Sequence, residues 1–298
     1  MTLTGEIISA AEKSFQPGYC DRQVMEKFIR SRRADSGGLR GRGLAGDLYY
    51  TQFGLMILSA AGFDPSRFCD PGFFQLPAQA AGMDLVDLAS FARCLRLTGM
   101  ADDVSLTGPL AEAIERYQCP DGGYNSEPGT ERGTIYATFA ATCGIEDLGL
   151  EIDSSGFASS LGRFRQPDGG RSGNEFVPIA LTPVTAAATV LAAHFGFPDE
   201  GAARWLVDSF RREGGVGVSR KSPAADLLST AVALHALGRH GLNPHVETIG
   251  ATEKYVLSLR GDDGGFRACR DDSDSDIEYT FYGMLAMGEI SCLKKRAR

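Results

Sequence analysis

Gln118-Cys119-Pro120-Asp121-Gly122-Gly123-Tyr124 decides the fold, because the chain writes it more than once. Arg165-Gln166-Pro167-Asp168-Gly169-Gly170-Arg171 and Arg260-Gly261-Asp262-Asp263-Gly264-Gly265-Phe266 are near copies, while Glu213-Gly214-Gly215 and Ser36-Gly37-Gly38 keep the diglycine. From Gly122 onward the steps to Gly169, Gly214 and Gly264 are 47, 45 and 50 residues. The step from Gly37 to Gly122 is 85, room for two units, and a degenerate copy is expected around Pro71-Gly72-Phe73-Phe74. A period near 45 residues signals stacked or circularly arranged units, each too small to bury its own apolar face.

About ten residues after each diglycine an apolar helix is expected. The six starts fall near Asp47, Asp84, Gly133, Thr182, Asp226 and Asp276. Asp or Thr there can accept from free backbone N–H groups of the first turn, and Pro183 sits where a first-turn proline is tolerated. These helices are apolar nearly all round, which places them inside. Between them lie amphipathic segments at 109–117, 157–164, 202–211 and 252–259; in the last, Tyr255, Val256 and Leu259 share one face and Glu253 and Lys254 turn away. No stretch alternates as a strand does. The expected architecture is all-α: an (α/α)6 toroid of inner and outer helices, one domain over 1–298, with about six helix-pair repeats.

Composition narrows function by exclusion. A hydrophobic content of 43% supports a sizeable core, and a formal net charge of −8 argues against a nucleic-acid partner. The longest apolar run, 184–193, is too short to cross a bilayer. Glu6, Glu12 and Lys13 interrupt the N-terminal apolar run, against a secretory signal. Seven scattered cysteines without a CxxC pair read as reduced thiols and a cytoplasmic protein, with neither disulfide scaffold nor zinc ribbon.

The diglycine repeats resemble those of the protein prenyltransferase β subunits, a repeat shared with squalene and related terpene cyclases, over essentially the whole chain. In the prenyltransferases zinc is held by Asp, Cys and His. The matching positions here are Asp226, Leu228 and Tyr279, and neither leucine nor tyrosine supplies a thiolate or imidazole. Zinc is therefore not expected as a cofactor. The cyclase DxDD motif has as its nearest counterpart Asp226-Leu227-Leu228-Ser229-Thr230-Ala231, with Leu228 where the acid should stand.

Candidate site residues come from position. The lead-in loops carry Arg40, Arg42, Arg132, Arg171, Arg220, Lys221, Arg267 and Arg270 towards helix N-termini, a placement suited to a diphosphate. Arg132 follows Glu131 as in an Asp-x-Arg stretch of the prenyltransferases. Arg220 and Lys221 fall within a residue of that family's diphosphate-binding positions. Tyr49, Tyr50, Tyr136 and Tyr279 recur at first-turn level, with Phe53, Phe139 and Phe281 one turn deeper, an aromatic lining for an isoprenoid chain. The last repeat gathers Asp271, Asp272, Asp274, Asp276 and Glu278 before Tyr279. Such a cluster could raise the pKa of a general acid, Asp276 or Glu278, or hold Mg²⁺ against a diphosphate; helix capping and a solvated loop explain the same residues.

The reading that follows is an isoprenoid-handling enzyme, a divergent terpene cyclase acting on a prenyl substrate or prenyl diphosphate in a central aromatic cavity. Prenyl transfer and a non-catalytic toroid that binds a ligand or a protein partner stand as alternatives, with glycan chemistry as a third.

Overall fold

The computed structural model describes residues 1–74 and 82–296 and contains twelve α-helices among them. The degenerate repeat expected at 71–74 falls on a 3-10 turn, Pro71–Phe74, and the stretch that would follow it lies outside the described residues. The only β pairing among the described residues is a set of isolated antiparallel bridges. The chain groups into two compact units: residues 1–6 with 29–162, and residues 7–28 with 163–298.

In the first unit the helices expected to be inner are α3 (Leu48–Ala60), α4 (Leu85–Leu97) and α6 (Ile135–Asp147), flanked by α5 (Val104–Glu115) and α7 (Phe157–Gly162). Gln52, early in α3, bonds Ser90, early in α4, at 2.7 Å, which sets the N-terminal halves of these core helices side by side. In the second unit the core helices are α8 (Thr182–His194), α10 (Leu227–His240) and α12 (Ile277–Arg296), flanked by α9 (Glu200–Val207) and α11 (Val246–Ser258). Thr182 N donates to Val218 O and Leu227 N to Ala268 O, which sets each core-helix N-terminus against the lead-in of the next.

The expected starts hold at the acidic positions. Asp47, Asp84, Asp226 and Asp276 each accept from a backbone N–H three residues on, at Tyr50, Asp87, Ser229 and Tyr279. Thr134, rather than Gly133, caps α6, and Leu181 precedes α8 with no side-chain cap. The flanking helix expected from Pro109 begins five residues earlier, because Asp103 accepts from Ser105 N and the proline is carried inside α5. Two helices, α1 (Leu3–Glu12) and α2 (Arg22–Ser31), precede the first diglycine, where the repeat spacing implies nothing.

One device recurs at every visible diglycine. The first glycine, at 37, 122, 169, 214 and 264, has φ between +84° and +97°, a region L side chains avoid. The second lies against a neighbouring side chain: a Cβ on Gly170 would stand 2.7 Å from the Trp205 ring, and one on Gly265 2.5 Å from the Phe28 ring. The residue after the pair donates its N–H to a threonine in the following core helix. The pairs are Leu39 to Thr51, Tyr124 to Thr138, Arg171 to Thr185, Val216 to Thr230 and Phe266 to Thr280, at 2.9 to 3.0 Å. Asp121, Asp168 and Asp263 brace the same turns through the N–H of the second glycine. The aspartates of the repeat are thus turn builders.

Buried polar networks tie the remaining chain in. In the first unit Asp147 accepts from Thr4 Oγ1 at 2.7 Å and pairs with Arg93, which also reaches Gln52 at 2.6 Å. In the second, His235 Nδ1 lies 2.8 Å from Glu289 Oε1, joining the C-terminal halves of α10 and α12. No helix among the described residues is long and apolar enough to cross a membrane.

Candidate functional site

Burial removes some expected lining residues and keeps others. In the first unit Tyr49 is half-buried and meets Tyr50 and Phe53 edge-on, ring centroids 5.5 and 5.3 Å apart. Tyr50 is turned onto its own lead-in loop, where a Cβ on Gly41 would fall within its ring, and Phe53 is buried. Tyr136 is 56% exposed at the head of α6, with Phe139 half-buried one turn deeper; Arg132 is exposed just before them.

The same unit brings carboxylates together. Burial raises the pKa of Asp47 against the N–H groups of Tyr50 and Tyr49. Asp87, in the first turn of α4, is raised by burial and then by the charges of Asp84 and Asp47.

In the second unit the half-exposed positions in the first turns of three core helices are Pro183, Val184 and Ala187 on α8, Leu228 and Val232 on α10, and Tyr279 and Tyr282 on α12. Every one is apolar or aromatic. Phe281, expected on this face, is buried, and Tyr282 takes the accessible place one turn below Tyr279, ring centroids 6.5 Å apart. At the heads of these helices stand three acids. Asp226 is half-buried, and burial raises its pKa against the bonds it accepts from Ser229 and Val218. Asp276 is buried to 1% exposure and serves as the α12 cap, and Glu278 is also buried. Asp271 and Asp274 are exposed in the preceding loop, while Asp272 accepts from Ala268 N.

Most lead-in cations of this unit are committed to the flanking layer. Arg220 stacks on Trp205, 4.6 Å from the ring centroid, and donates to Trp205 O and Ser209 Oγ. Arg171 is buried in an ion pair with Asp199. Arg267 donates to Leu259 O and Ser258 O, and Arg270 lies over the Tyr255 ring. In the first unit Arg40 donates to Ser31 O. A guanidinium has five donors and finds carbonyls readily; the ammonium of Lys221 makes no such contact and stays exposed. No group of three or more His, Cys, Asp or Glu that could hold a metal ion occurs among the described residues.

The family profile of the prenyltransferase alpha-alpha toroid domain matches residues 5–81, 67–237 and 184–295. Among curated proteins no sequence relative matches. Three solved structures share the fold at low identity. A variant of the type II terpene cyclase MstE from Scytonema, in complex with geranylgeranyl dihydroxybenzoate, is 12% identical with TM-score 0.59, covering 98% of this chain and 99% of its own. A protein from Actinoplanes is 16% identical with TM-score 0.58, covering 93% and 98%. An inactive variant of an α-1,6-mannanase of Salegentibacter, in complex with α-1,6-mannotriose, is 12% identical with TM-score 0.55, covering 96% and 99%. A cyclase and a glycosidase thus lie at similar structural distance, and the likeness to them carries the fold alone.

Proposed function

The chain belongs to the prenyltransferase alpha-alpha toroid family, and from that premise we propose that it is an isoprenoid-handling enzyme, a terpene cyclase acting on a prenyl substrate. The observation that carries this reading is the face presented by α8, α10 and α12. Seven half-exposed side chains, from Pro183 to Tyr282, stand at matching levels of the three helices, all apolar or aromatic, with carboxylates at the helix heads. A polyprenyl chain needs such a wall: it offers no hydrogen bonds and gains from apolar burial, about 25 cal/mol per Å². A glycan would require polar partners along its length, and this face supplies only two phenol hydroxyls. Tyrosine rings also stabilise a cationic intermediate through their faces.

Cyclisation started by a proton needs an acid that is still protonated when the substrate arrives. Asp226 meets that need best in the second unit, because burial raises its pKa and it heads the apolar face. Asp276 and Glu278 beside Tyr279 are the alternative donors, and Asp87 has the same property in the first unit. Zinc-assisted transfer to a thiol fits less well, since Leu228 and Tyr279 fill positions where ligands are required.

The test is incubation of the purified chain with geranylgeranyl diphosphate, a geranylgeranyl-substituted dihydroxybenzoate and squalene. Cyclisation is an isomerisation, so the product keeps the substrate mass and changes chromatographic retention; transfer or ionisation releases inorganic pyrophosphate. Conversion without pyrophosphate is the expected result. Tight binding of all three without conversion would replace the enzyme by a binding protein.

A further inference from the structure

The second unit presents an apolar loop tip that the fold does not use. Phe176 is 92% exposed, with Val177, Ile179 and Val218 exposed between 40% and 48% and Pro178 exposed among them. An isolated exposed apolar residue needs no explanation, but four large ones on adjoining segments do. The segments adjoin because Thr182, at the end of the tip loop, donates its N–H to Val218 O and its hydroxyl to Gly217 O.

The tip is held outwards. Asn174 Oδ1 accepts from both Phe176 N and Val177 N at 2.9 Å, and Ser172 Oγ donates to Asn174 O at 2.8 Å. Arg163 pairs with Glu175 at 2.8 Å, and a bridge between Ser172 and Ala180 closes the base. The phenyl ring is therefore displayed before any partner arrives.

The surrounding charge departs from that of the chain. Glu175, Asp199, Asp208 and Glu213 pair with Arg163, Arg165, Arg171, Arg211 and Arg220, which leaves Lys221 and Arg212 as the exposed cations of these segments outside those pairs, in a chain of net charge −8. Lys221, exposed and without a side-chain partner, is three residues from Val218.

We propose that this tip is a membrane-surface anchor: Phe176, Val177 and Ile179 enter the headgroup and acyl boundary of an anionic bilayer while Lys221 faces its phosphates. An apolar projection with an exposed lysine beside it matches a lipid surface on both counts. A protein partner fits less well, because a narrow tip cannot bury the roughly 800 Å² per side of a standard interface. The inference goes beyond the reaction and does not depend on it, since the apolar tip of Phe176, Val177 and Ile179 holds no group assigned to the chemistry.

The test is sedimentation of the full chain with sucrose-loaded vesicles, of phosphatidylcholine alone or with one quarter phosphatidylglycerol. The parent should bind the mixed vesicles several-fold better than the neutral ones. The triple variant F176S/V177S/I179S should lose about tenfold or more in partitioning, since three apolar side chains leave the bilayer. F176S alone should lose part of it, which keeps the test available if the triple variant misfolds. K221Q and high salt should each weaken binding to mixed vesicles only. Failure of the parent to bind either vesicle, or unchanged binding by both serine variants, would overturn the anchor. So would a solution dimer abolished by F176S without vesicle binding, which would make the occupant a second copy. Vesicle binding needs no turnover, so an inactive protein that binds retains the anchor, and an active one that does not bind retains only the enzyme.

Discussion

Thr230→Val removes one hydroxyl and almost no volume, and it tests the device that recurs at every visible diglycine. Thr230 Oγ1 accepts from Val216 N at 3.0 Å and donates to Asp226 O at 2.6 Å, and both Thr230 and Val216 are buried. The Asp226 carbonyl keeps its helical partner, Thr230 N. Val216 N–H is buried, and Thr230 Oγ1 is the acceptor it uses. Leaving a buried donor unmade costs about 1–3 kcal/mol, so T230V should lower stability by that amount. Thr189 supplies the control. It is equally buried, but its hydroxyl only donates to Thr185 O at 2.8 Å, one helical turn back. T189V strands no donor and should stay within about 0.5 kcal/mol of the parent. Urea unfolding followed by far-UV circular dichroism reads both, with the slope held constant so that a shifted midpoint reports stability. Equal midpoints for the two variants would refute the view that these threonines hold the repeat together.

Steric limits give a second contrast: G265A forces a Cβ to 2.5 Å from the Phe28 ring and should cost about 1–3 kcal/mol, whereas G250A, with nothing within 4 Å in the middle of α11, should stabilise by about 0.5–1 kcal/mol in the same urea assay. The lead-in cations separate by role. R220A should lower the unfolding midpoint by breaking the Trp205 stack and its carbonyl bond, while K221A should leave the midpoint alone and weaken pyrophosphate binding in calorimetry. D226N keeps the helix cap, since Asn caps as well as Asp, and should abolish turnover while folding normally. Because burial raises the Asp226 pKa, its acid form and the activity it supports should fall away only above the ordinary carboxylate range. By the same sign, its contribution to stability is complete below the unfolded pKa and fades as pH rises through the folded value, a slope that D226N should remove. Elemental analysis of the purified chain should find no stoichiometric zinc, as Leu228 and Tyr279 stand at the ligand positions of the resembled enzymes.

The positions legible from sequence were those whose partner lies a fixed few residues away. A cap bonds the N–H three residues on, so Asp47, Asp84, Asp226 and Asp276 could be placed from spacing alone. The diglycine turns were equally local. The threonine latches were not, because Val216 and Thr230 are 14 residues apart and neither residue type is unusual in its own segment. Nor did spacing reveal that Pro109 is carried inside α5, since the Asp103 cap lies six residues before the segment expected there.

Site residues depend on what each side chain meets across the fold, and there the sequence carries less. Arg171, Arg220, Arg267 and Arg270 share a lead-in position that suits a bound diphosphate, yet each is long enough to reach a carbonyl, carboxylate or ring of the flanking layer. Lys221, with one ammonium and no planar stack, stays where the position put it. The aromatic pattern divides in the same way: Tyr279 and Tyr282 are three apart and share the accessible face of α12, while Phe281 between them turns into the core. Spacing from the cap therefore picks the turn on which a site residue sits. Helical phase decides whether it is accessible, and the acids and rings proposed for the site that are accessible at that level are Asp226, Tyr279 and Tyr282 in the second unit and Asp87 and Tyr136 in the first. Those five residues are where substitutions should change chemistry without unfolding the protein.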